Sequence, residues 1–256
     1  MSLPGIQVGP GISIGPGINF GQPPPSIYTP LAGSLSFNGS SYLSMSPGMT
    51  LGAGAFTVEG WFYNNSNFTN KGLLGTDQSI GMSMFTSDDA TITLDRNGGG
   101  YQPNYTWPAA TLQTNKWQYI VLNRNASNGS LIETMWIGTF ANNYTQVTCI
   151  QAIGAGGGTP YYGGGTQIDS QVWGNSNWVG RFYGGDFTGL ITNFRVTIGE
   201  AIYNSNSATI TAPTAPLGTD GFTDYLMLGD TVTTDTSGNQ SVTNNGGVTQ
   251  TATVPF

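Results

Sequence analysis

The side chains that most enzymes use for chemistry are scarce in this chain. Its 256 residues include 13 acids, one cysteine and no histidine. The missing histidine removes Ser-His-Asp, Cys-His and zinc-histidine chemistry. The glutamates are Glu59, Glu133 and Glu200, and none has a second acid at the Glu-x-Asp-x-x-Glu spacing that retaining glycoside hydrolysis uses in some glucanases. These residues predict a protein that is not an enzyme.

Calcium is the one metal that the composition allows, because Asp and Asn side chains supply the oxygen ligands it prefers. The candidate is the adjacent pair Asp88 and Asp89 in a polar loop. No recognised calcium-loop motif surrounds this pair, and a solvated turn is the simpler interpretation. We expect no other cofactor.

Aromatic residues are concentrated in two loops, 99–107 and 171–178, beside amide side chains. An exposed aromatic ring with amide partners is typical of a sugar-binding surface. The candidates are Tyr101, Tyr105, Trp107, Trp173 and Trp178. Such residues also plug the ends of β-sandwiches or fill subunit interfaces, and both interpretations stay open.

The net charge of −7 comes with only six basic residues, which are scattered along the chain. This pattern argues against nucleic acid and against anionic membranes as partners. The first residues lack a basic region followed by an apolar one, so no signal peptide is predicted. We therefore expect synthesis in a cytoplasm. Cys149 cannot form an intrachain disulfide and is predicted to be a core residue.

Residues 5–22 contain a repeated hexad, Gly-Ile-polar-apolar-Gly-Pro/Gln, and three prolines follow at 23–25. Gly-Pro joints prevent helix and break strand ladders, which predicts an extended arm over residues 1–30. The arm is either a disordered tail or a segment that orders on a partner, and its regular apolar residues favour docking. These residues are Ile6, Val8, Ile12, Ile14, Ile18 and Phe20.

Residues 31–256 predict one all-β domain. A dozen short alternating stretches are separated by turn residues, with no helical period. We expect hairpins around Asn38-Gly39, Asn128-Gly129 and Asn244–Gly247. The stretch 187–198 predicts a strand with Phe187 and Ile191 on one face and Phe194 on the other. The expected architecture is an antiparallel jelly-roll sandwich preceded by a Gly/Pro-rich arm.

Four stretches carry a family resemblance. They are Leu35–Leu43 (LSFNGSSYL), Phe56–Phe62 (FTVEGWF), Trp117–Arg124 (WQYIVLNR) and Gly185–Leu217. Together they resemble laminin-G-like, concanavalin A-like jelly-roll domains of the type found in phage and virus structural proteins. Tyr119 replaces the usual histidine of the third motif. In that pattern Glu59 is a structural carboxylate.

The resemblance implies a non-enzymatic virion component, such as a capsid decoration or a tail or fibre protein. The arm would anchor it, and the jelly roll would be displayed outward, self-associated or in contact with host glycans. Other virion proteins, copies of the same chain and surface glycans are the expected partners. The alternative is a carbohydrate-binding lectin module of a cell-surface or exported protein. A cryptic glycosidase ranks last.

Overall fold

Alternating apolar and polar residues place most of the described chain in strands. The computed structural model describes residues 29–76, 82–96, 104–127, 130–140, 146–156, 161–162, 166–168 and 173–256. All regular secondary structure in these ranges is β and antiparallel. Across the same ranges, no helix has the length and apolarity that a membrane span requires. Residues 1–28 of the predicted arm lie outside the described residues.

The strands, in chain order, alternate repeatedly between two large sheets. They are β1 (Ser34–Asn38), β2 (Tyr42–Gly52), β3 (Phe56–Asn64), β4 (Lys71–Gly75), β5 (Met82–Asp88), β6 (Thr91–Arg96), β7 (Asn104–Thr106), β8 (Trp117–Ser127), β9 (Ser130–Thr139), β10 (Thr148–Gln151), β11 (Gly154–Gly156), β12 (Tyr161–Tyr162), β13 (Thr166–Ile168), β14 (Trp173–Val179), β15 (Arg181–Phe182), β16 (Gly185–Asp186), β17 (Thr188–Ile198), β18 (Thr209–Thr211), β19 (Thr223–Met227), β20 (Ser241–Asn245) and β21 (Thr249–Thr251).

Sheet I follows the order β12-β13-β9-β8-β3-β17-β1-β21. In the same sheet β10 pairs with β9, β18 with β10, and β19 with the second half of β17. Sheet II follows the order β11-β7-β6-β5-β4-β14-β2-β20, and β15 with β16 forms a short separate hairpin. Two sheets packed face to face, each with one face toward the core, make a sandwich.

The main core lies between the two sheets. From sheet I, Phe56, Val58 and Phe62 of β3 point inward, as alternate residues of a strand do. Leu43, Met84 and Val179 face them from sheet II. Each fully buried side chain of this size contributes about 1.5–3 kcal/mol relative to exposure. The inner faces of the two sheets therefore form the main core, and the outer faces are left for contacts with other segments of the chain.

The face assignment predicted for β17 is wrong after Thr192. Two residues of β17 lie between the pairs Thr192–Trp61 and Arg195–Glu59, where β3 has only Gly60. Asn193 occupies this bulge with a φ of 50°. A bulge shifts the alternation by one residue, so Ile191 and Phe194 both reach the main core.

Two predicted hairpins are corners between sheets. β1 belongs to sheet I and β2 to sheet II. Likewise, β20 belongs to sheet II and β21 to sheet I. The two corners pack together, since the Asn38 side-chain amide donates to the Gly246 carbonyl at 3.3 Å. The third prediction is confirmed, because β8 and β9 pair in register from Gln118–Thr139 to Ser127–Ser130.

A long segment covers much of the outer face of sheet I. This cover, residues 199–217, is held on the sheet by hydrogen bonds. The Trp136 Nε1 donates to the Ser207 carbonyl at 2.9 Å, and the Asn123 side-chain amide donates to the Tyr203 carbonyl at 3.0 Å. The cover helps to bury a second apolar cluster, in which Cys149 is fully buried.

The last five residues, 252–256, form a C-terminal tail on the same outer face. The Ser34 hydroxyl donates to the Thr253 carbonyl at 2.6 Å. The Phe256 ring packs edge-on against Trp61, with ring centroids 5.8 Å apart. The tail therefore forms a second boundary of the outer face of sheet I, beside the cover.

Candidate functional site

Glu59 is fully buried on the outer face of sheet I, beneath the cover. Arg195 donates to its Oε1 from Nε at 2.9 Å and from Nη2 at 2.6 Å. The Tyr203 hydroxyl donates to its Oε2 at 2.6 Å, and the Tyr119 hydroxyl donates to the same oxygen. We call these four residues the Glu59 network. Burial together with the carboxylate raises the pKa of both tyrosines.

Glu133 is buried on the opposite, inner face of the same sheet. Its Oε1 accepts a hydrogen bond from the Tyr105 hydroxyl at 3.2 Å, and its Oε2 lies 4.0 Å from the Arg124 Nε. Because sheet I separates Glu59 from Glu133, these carboxyls do not form the close pair that retaining glycoside hydrolysis needs. Both serve to join neighbouring elements, and Glu200 is exposed on the cover.

Two of the aromatic candidates belong to the core. Tyr105 is fully buried and Trp107 is 3% exposed. The Trp107 Nε1 donates to the Ile150 carbonyl at 3.1 Å, so the indole fills the sandwich between β7 and β10. The expectation that these two rings form an exposed sugar platform is therefore wrong. Their burial fits the open alternative, in which such rings plug the sandwich.

The other aromatic candidates have different positions. Tyr101 lies outside the described residues. Trp173 begins β14, where its backbone is opposite Gly52. Trp178 is half-buried on the outer face of sheet II, where its ring meets Tyr42 edge-on at 5.6 Å.

Arg181 completes this cluster, which we call the aromatic face: Tyr42, Trp178 and Arg181. The guanidinium lies 4.3 Å from the Tyr42 ring centroid and 5.2 Å from that of Trp178. Its Nε is 3.3 Å from Asp186 Oδ1. A guanidinium over an aromatic ring is a favourable cation–π contact. The faces of both rings are thus partly occupied by the chain itself.

Asp88 and Asp89 are exposed at the turn between β5 and β6. The Asp88 Oδ1 accepts a hydrogen bond from the Ala90 amide at 2.8 Å, and the Asp89 carbonyl accepts one from the Leu112 amide at 2.8 Å. Across the described ranges, no three acidic, cysteine or histidine side chains gather into a potential metal site. Calcium at this turn stays a prediction.

A concave site lies on the outer face of sheet I, at the boundary with the C-terminal tail. This cleft has a volume of about 240 Å³. It is lined by Tyr63, Asn115, Lys116, Trp117, Phe140, Thr253 and Val254. Tyr63 is half-buried, whereas Trp117 and Phe140 are 6% and 8% exposed, because most of each of these two side chains packs in the second apolar cluster.

The sheet register builds the aromatic wall of the cleft. Tyr63 at the end of β3 is directly opposite Trp117 at the start of β8, and their ring centroids are 5.4 Å apart. The Phe140 amide donates to the Trp117 carbonyl at 2.8 Å, which places the third ring beside them. Cross-strand neighbours of this kind hold each other's orientation.

The polar wall comes from the loop before β8. Asn115 has a φ of 57°, a left-handed conformation that asparagine tolerates. Its backbone amide donates to the Asn64 carbonyl at 2.8 Å, which fixes the loop against the end of β3. Both Asn115 and Lys116 are exposed, so their side chains remain available to a ligand.

Sequence reasoning missed the cleft because it searched the loops for aromatic residues. Tyr63 and Trp117 occur in alternating apolar stretches and therefore resembled core residues, and Trp117 is indeed only 6% exposed. The available signal was their position at adjacent strand ends, each beside a polar loop: Asn64–Asn67 and Gln113–Lys116. No pattern in the sequence indicated that Thr253 and Val254 line the cleft, because their position depends on where the tail packs.

No protein-family model matches the chain, and no curated protein matches it. Solved structures do. One is a protein from Bacteroides ovatus ATCC 8483, provisionally assigned as carbohydrate-binding, with a TM-score of 0.57 and 17% identity. The match covers 87% of this chain and 61% of that one, so the chain spans about three fifths of that protein's length.

Two further structures are similar at lower TM-scores. The LG4-5 domains of the mouse laminin alpha1 chain match at 0.41, with 14% identity over 74% of this chain and 48% of that one. A heptameric SAP-like pentraxin from Limulus polyphemus matches at 0.48, with 12% identity over 85% and 93%. Both are below 0.5, so the fold assignment rests on the Bacteroides structure and on the topology. The predicted antiparallel jelly-roll sandwich is confirmed.

Proposed function

We propose that this chain is a carbohydrate-binding module and that the cleft holds one ring of a glycan. The observation that carries the proposal is one cavity lined by half-buried Tyr63 and by exposed Asn115, Lys116 and Thr253, with the largely buried Trp117 beside them. Aromatic rings pack against the apolar faces of sugars, while amide and hydroxyl groups pair with sugar hydroxyls. The similarity to a Bacteroides protein provisionally assigned as carbohydrate-binding is in keeping with this function.

The size of the cleft limits the ligand. Its volume of about 240 Å³ is below the range of about 300–1,000 Å³ for pockets that hold drug-sized ligands. One sugar ring or the end of a glycan chain is a suitable occupant. A contact this small gives weak affinity, which repetition of the module on one particle or surface would strengthen through avidity.

The proposed role is binding without catalysis. Glu59 is held by Arg195 and two tyrosines, and Glu133 is held near Arg124 and Tyr105. Neither carboxylate lines the cleft. A bound sugar would therefore meet no acid and base pair from these glutamates.

The virion setting stays a prediction from the sequence resemblance. Residues 1–28 of its anchor, the predicted arm, lie outside the described residues, whereas the cleft and the similarity to the Bacteroides protein support the lectin alternative. Self-association and a virion location are tested together by purifying particles from the source. Loss of the chain from these particles on deletion of residues 1–25 would support anchoring by the arm.

Glycan binding is tested first on a glycan array and then by calorimetry with the best ligand. Tyr63→Ala removes one ring of the cleft, and we expect at least about tenfold weaker binding, or ~1.4 kcal/mol. Tyr42→Ala is the matched control, because Tyr42 is also half-buried and also packs on a tryptophan. Equal affinity of Tyr63→Ala and wild type would contradict the cleft as the site.

A further inference from the structure

The cleft has an unusual charge for this molecule. The whole chain carries a net charge of −7 and contains only two lysines, Lys71 and Lys116. Lys116 lines the cleft, and no acidic side chain is among the lining residues. The one charged side chain among the lining residues is thus a cation, on a protein with a net negative charge.

Lys116 also differs from the arginines whose side chains are described. Arg124, Arg181 and Arg195 each lie within 4.0 Å of a carboxylate, from Glu133, Asp186 and Glu59 respectively. Within the described part of the chain, Lys116 has no such ion pair. Its side chain is exposed at the cleft, so its ammonium group can pair with an anion that enters the site.

We propose that the sugar held in the cleft is anionic, and that its carboxylate or sulfate group pairs with Lys116. This inference rests on the proposed function. A neutral sugar would use the aromatic wall, Asn115 and Thr253 but would gain little from the ammonium group. An anionic sugar would gain a charge-assisted hydrogen bond beside apolar walls, where electrostatic attraction is stronger than in bulk water.

The test compares matched sugar pairs by calorimetry. The probes are the methyl glycosides of glucose, galactose and mannose, the corresponding uronic acids, and the corresponding 6-sulfates. For the hexose that fits the cleft, we expect one anionic form to bind wild type about twofold to fivefold more tightly than the neutral form, as for an exposed charge pair. Raising the salt to about 0.5 M should reduce this preference, because ions screen exposed charges.

Two variants locate the effect. Lys116→Gln should abolish the preference for the anionic sugar, so that the anionic and neutral forms bind this variant with equal affinity. Lys71→Gln is the matched control, since it removes the same charge elsewhere, and it should keep the preference. A preference for the uronic acid or for the sulfate identifies the anion, and either result supports the inference.

The contrary outcomes are distinct. Equal binding of neutral and anionic forms to wild type would overturn the anionic ligand and leave sugar binding intact. A preference that survives in Lys116→Gln would overturn the role of Lys116. No binding of any probe, together with an empty glycan array, would overturn the proposed function itself.

Discussion

Two tyrosine–tryptophan pairs lie on opposite outer faces of the sandwich, and their rings are arranged almost alike. Tyr63 and Trp117 on sheet I are 5.4 Å apart at 58°, and Tyr42 and Trp178 on sheet II are 5.6 Å apart at 66°. The difference lies in their neighbours. Arg181 lies over both rings on sheet II, whereas the tail borders the other pair and leaves a cleft. The surrounding segments therefore decide whether a cleft forms beside such a pair, although Trp117, which is 6% exposed, is more buried than Trp178.

The two faces also hold their covering segments by different means. On sheet I the cover is attached through buried polar groups, with Tyr203 bonded to Glu59. On sheet II the β15–β16 hairpin sits directly on Gly72, and Phe182 stacks on Phe85 with centroids 4.1 Å apart. Buried hydrogen bonds secure one segment, and close backbone packing secures the other.

Glu59→Ala should have the largest effect on stability. It leaves Arg195 and two buried hydroxyls without their acceptor, and removing one partner of a buried ion pair costs about 3–5 kcal/mol. Urea unfolding followed by tryptophan fluorescence measures the change. Asp186→Ala, which breaks the partly exposed pair on sheet II, should cost at most about 1 kcal/mol. Similar losses in the two variants would contradict the difference between the faces.

Cys149 reports on the opening of the cover. Burial raises the pKa of its thiol to about 12, so the native protein contains almost no thiolate at pH 8. We expect its reaction with a thiol reagent to be more than about a hundredfold slower than in the unfolded chain, because labelling requires local opening. In a variant that weakens the Glu59 network, Tyr203→Phe, labelling should be faster. Rapid labelling of wild type would show that the cover does not protect this cluster.

Gly72→Ala should loosen the hairpin on sheet II. An added Cβ would lie 2.3 Å from the Phe182 nitrogen and 2.4 Å from the Arg181 carbonyl carbon. Such overpacking against backbone typically costs about 1–3 kcal/mol. Gly54→Ala is the control, since nothing lies within 4 Å of its added Cβ, and it should change the unfolding free energy by less than about 0.5 kcal/mol. Equal stability of the two variants would contradict the packing on Gly72.

The hydrogen bond of Tyr183 is expected to have the smallest effect on stability. Its hydroxyl donates to Asp95 Oδ2 at 2.5 Å, and this bond raises its pKa to about 12. Because the folded-state pKa exceeds the ordinary value, the bond stabilises the fold below pH 10 and is lost as the pH rises toward 12. Wild type should therefore lose stability over this range relative to Tyr183→Phe. Parallel pH profiles of urea unfolding would contradict this contribution.

The sequence predicted the sandwich well because its core depends on alternation. Phe56, Val58 and Phe62 face inward as their spacing indicates. The corners at Asn38-Gly39 and Asn244–Gly247 were mistaken for hairpins because the same turn residues can join strands within one sheet or strands of two different sheets. The bulge at Asn193 was also missed, because one extra residue does not change the residue types from which a strand is predicted.

The candidate site was harder to predict than the fold. Trp107 belongs to an aromatic loop in the sequence, yet its indole is buried. Conversely, Tyr63 is half-buried and Trp117 is 6% exposed within the second apolar cluster, yet both line a cleft because the strands end there and the tail packs beside them. Which aromatic residue is open to a ligand depends on distant segments, such as Thr253, that no local pattern connects.

Sugar binding at the cleft is tested most directly by watching both tyrosine–tryptophan pairs at once. The indole NMR signals of Trp117 and Trp178, assigned with Trp117→Phe and Trp178→Phe, report on the two outer faces. During titration with the glycan selected on the array, the Trp117 signal should shift and saturate while that of Trp178 stays in place. A saturable shift of Trp178 with Trp117 unchanged would contradict the cleft and place binding on the aromatic face.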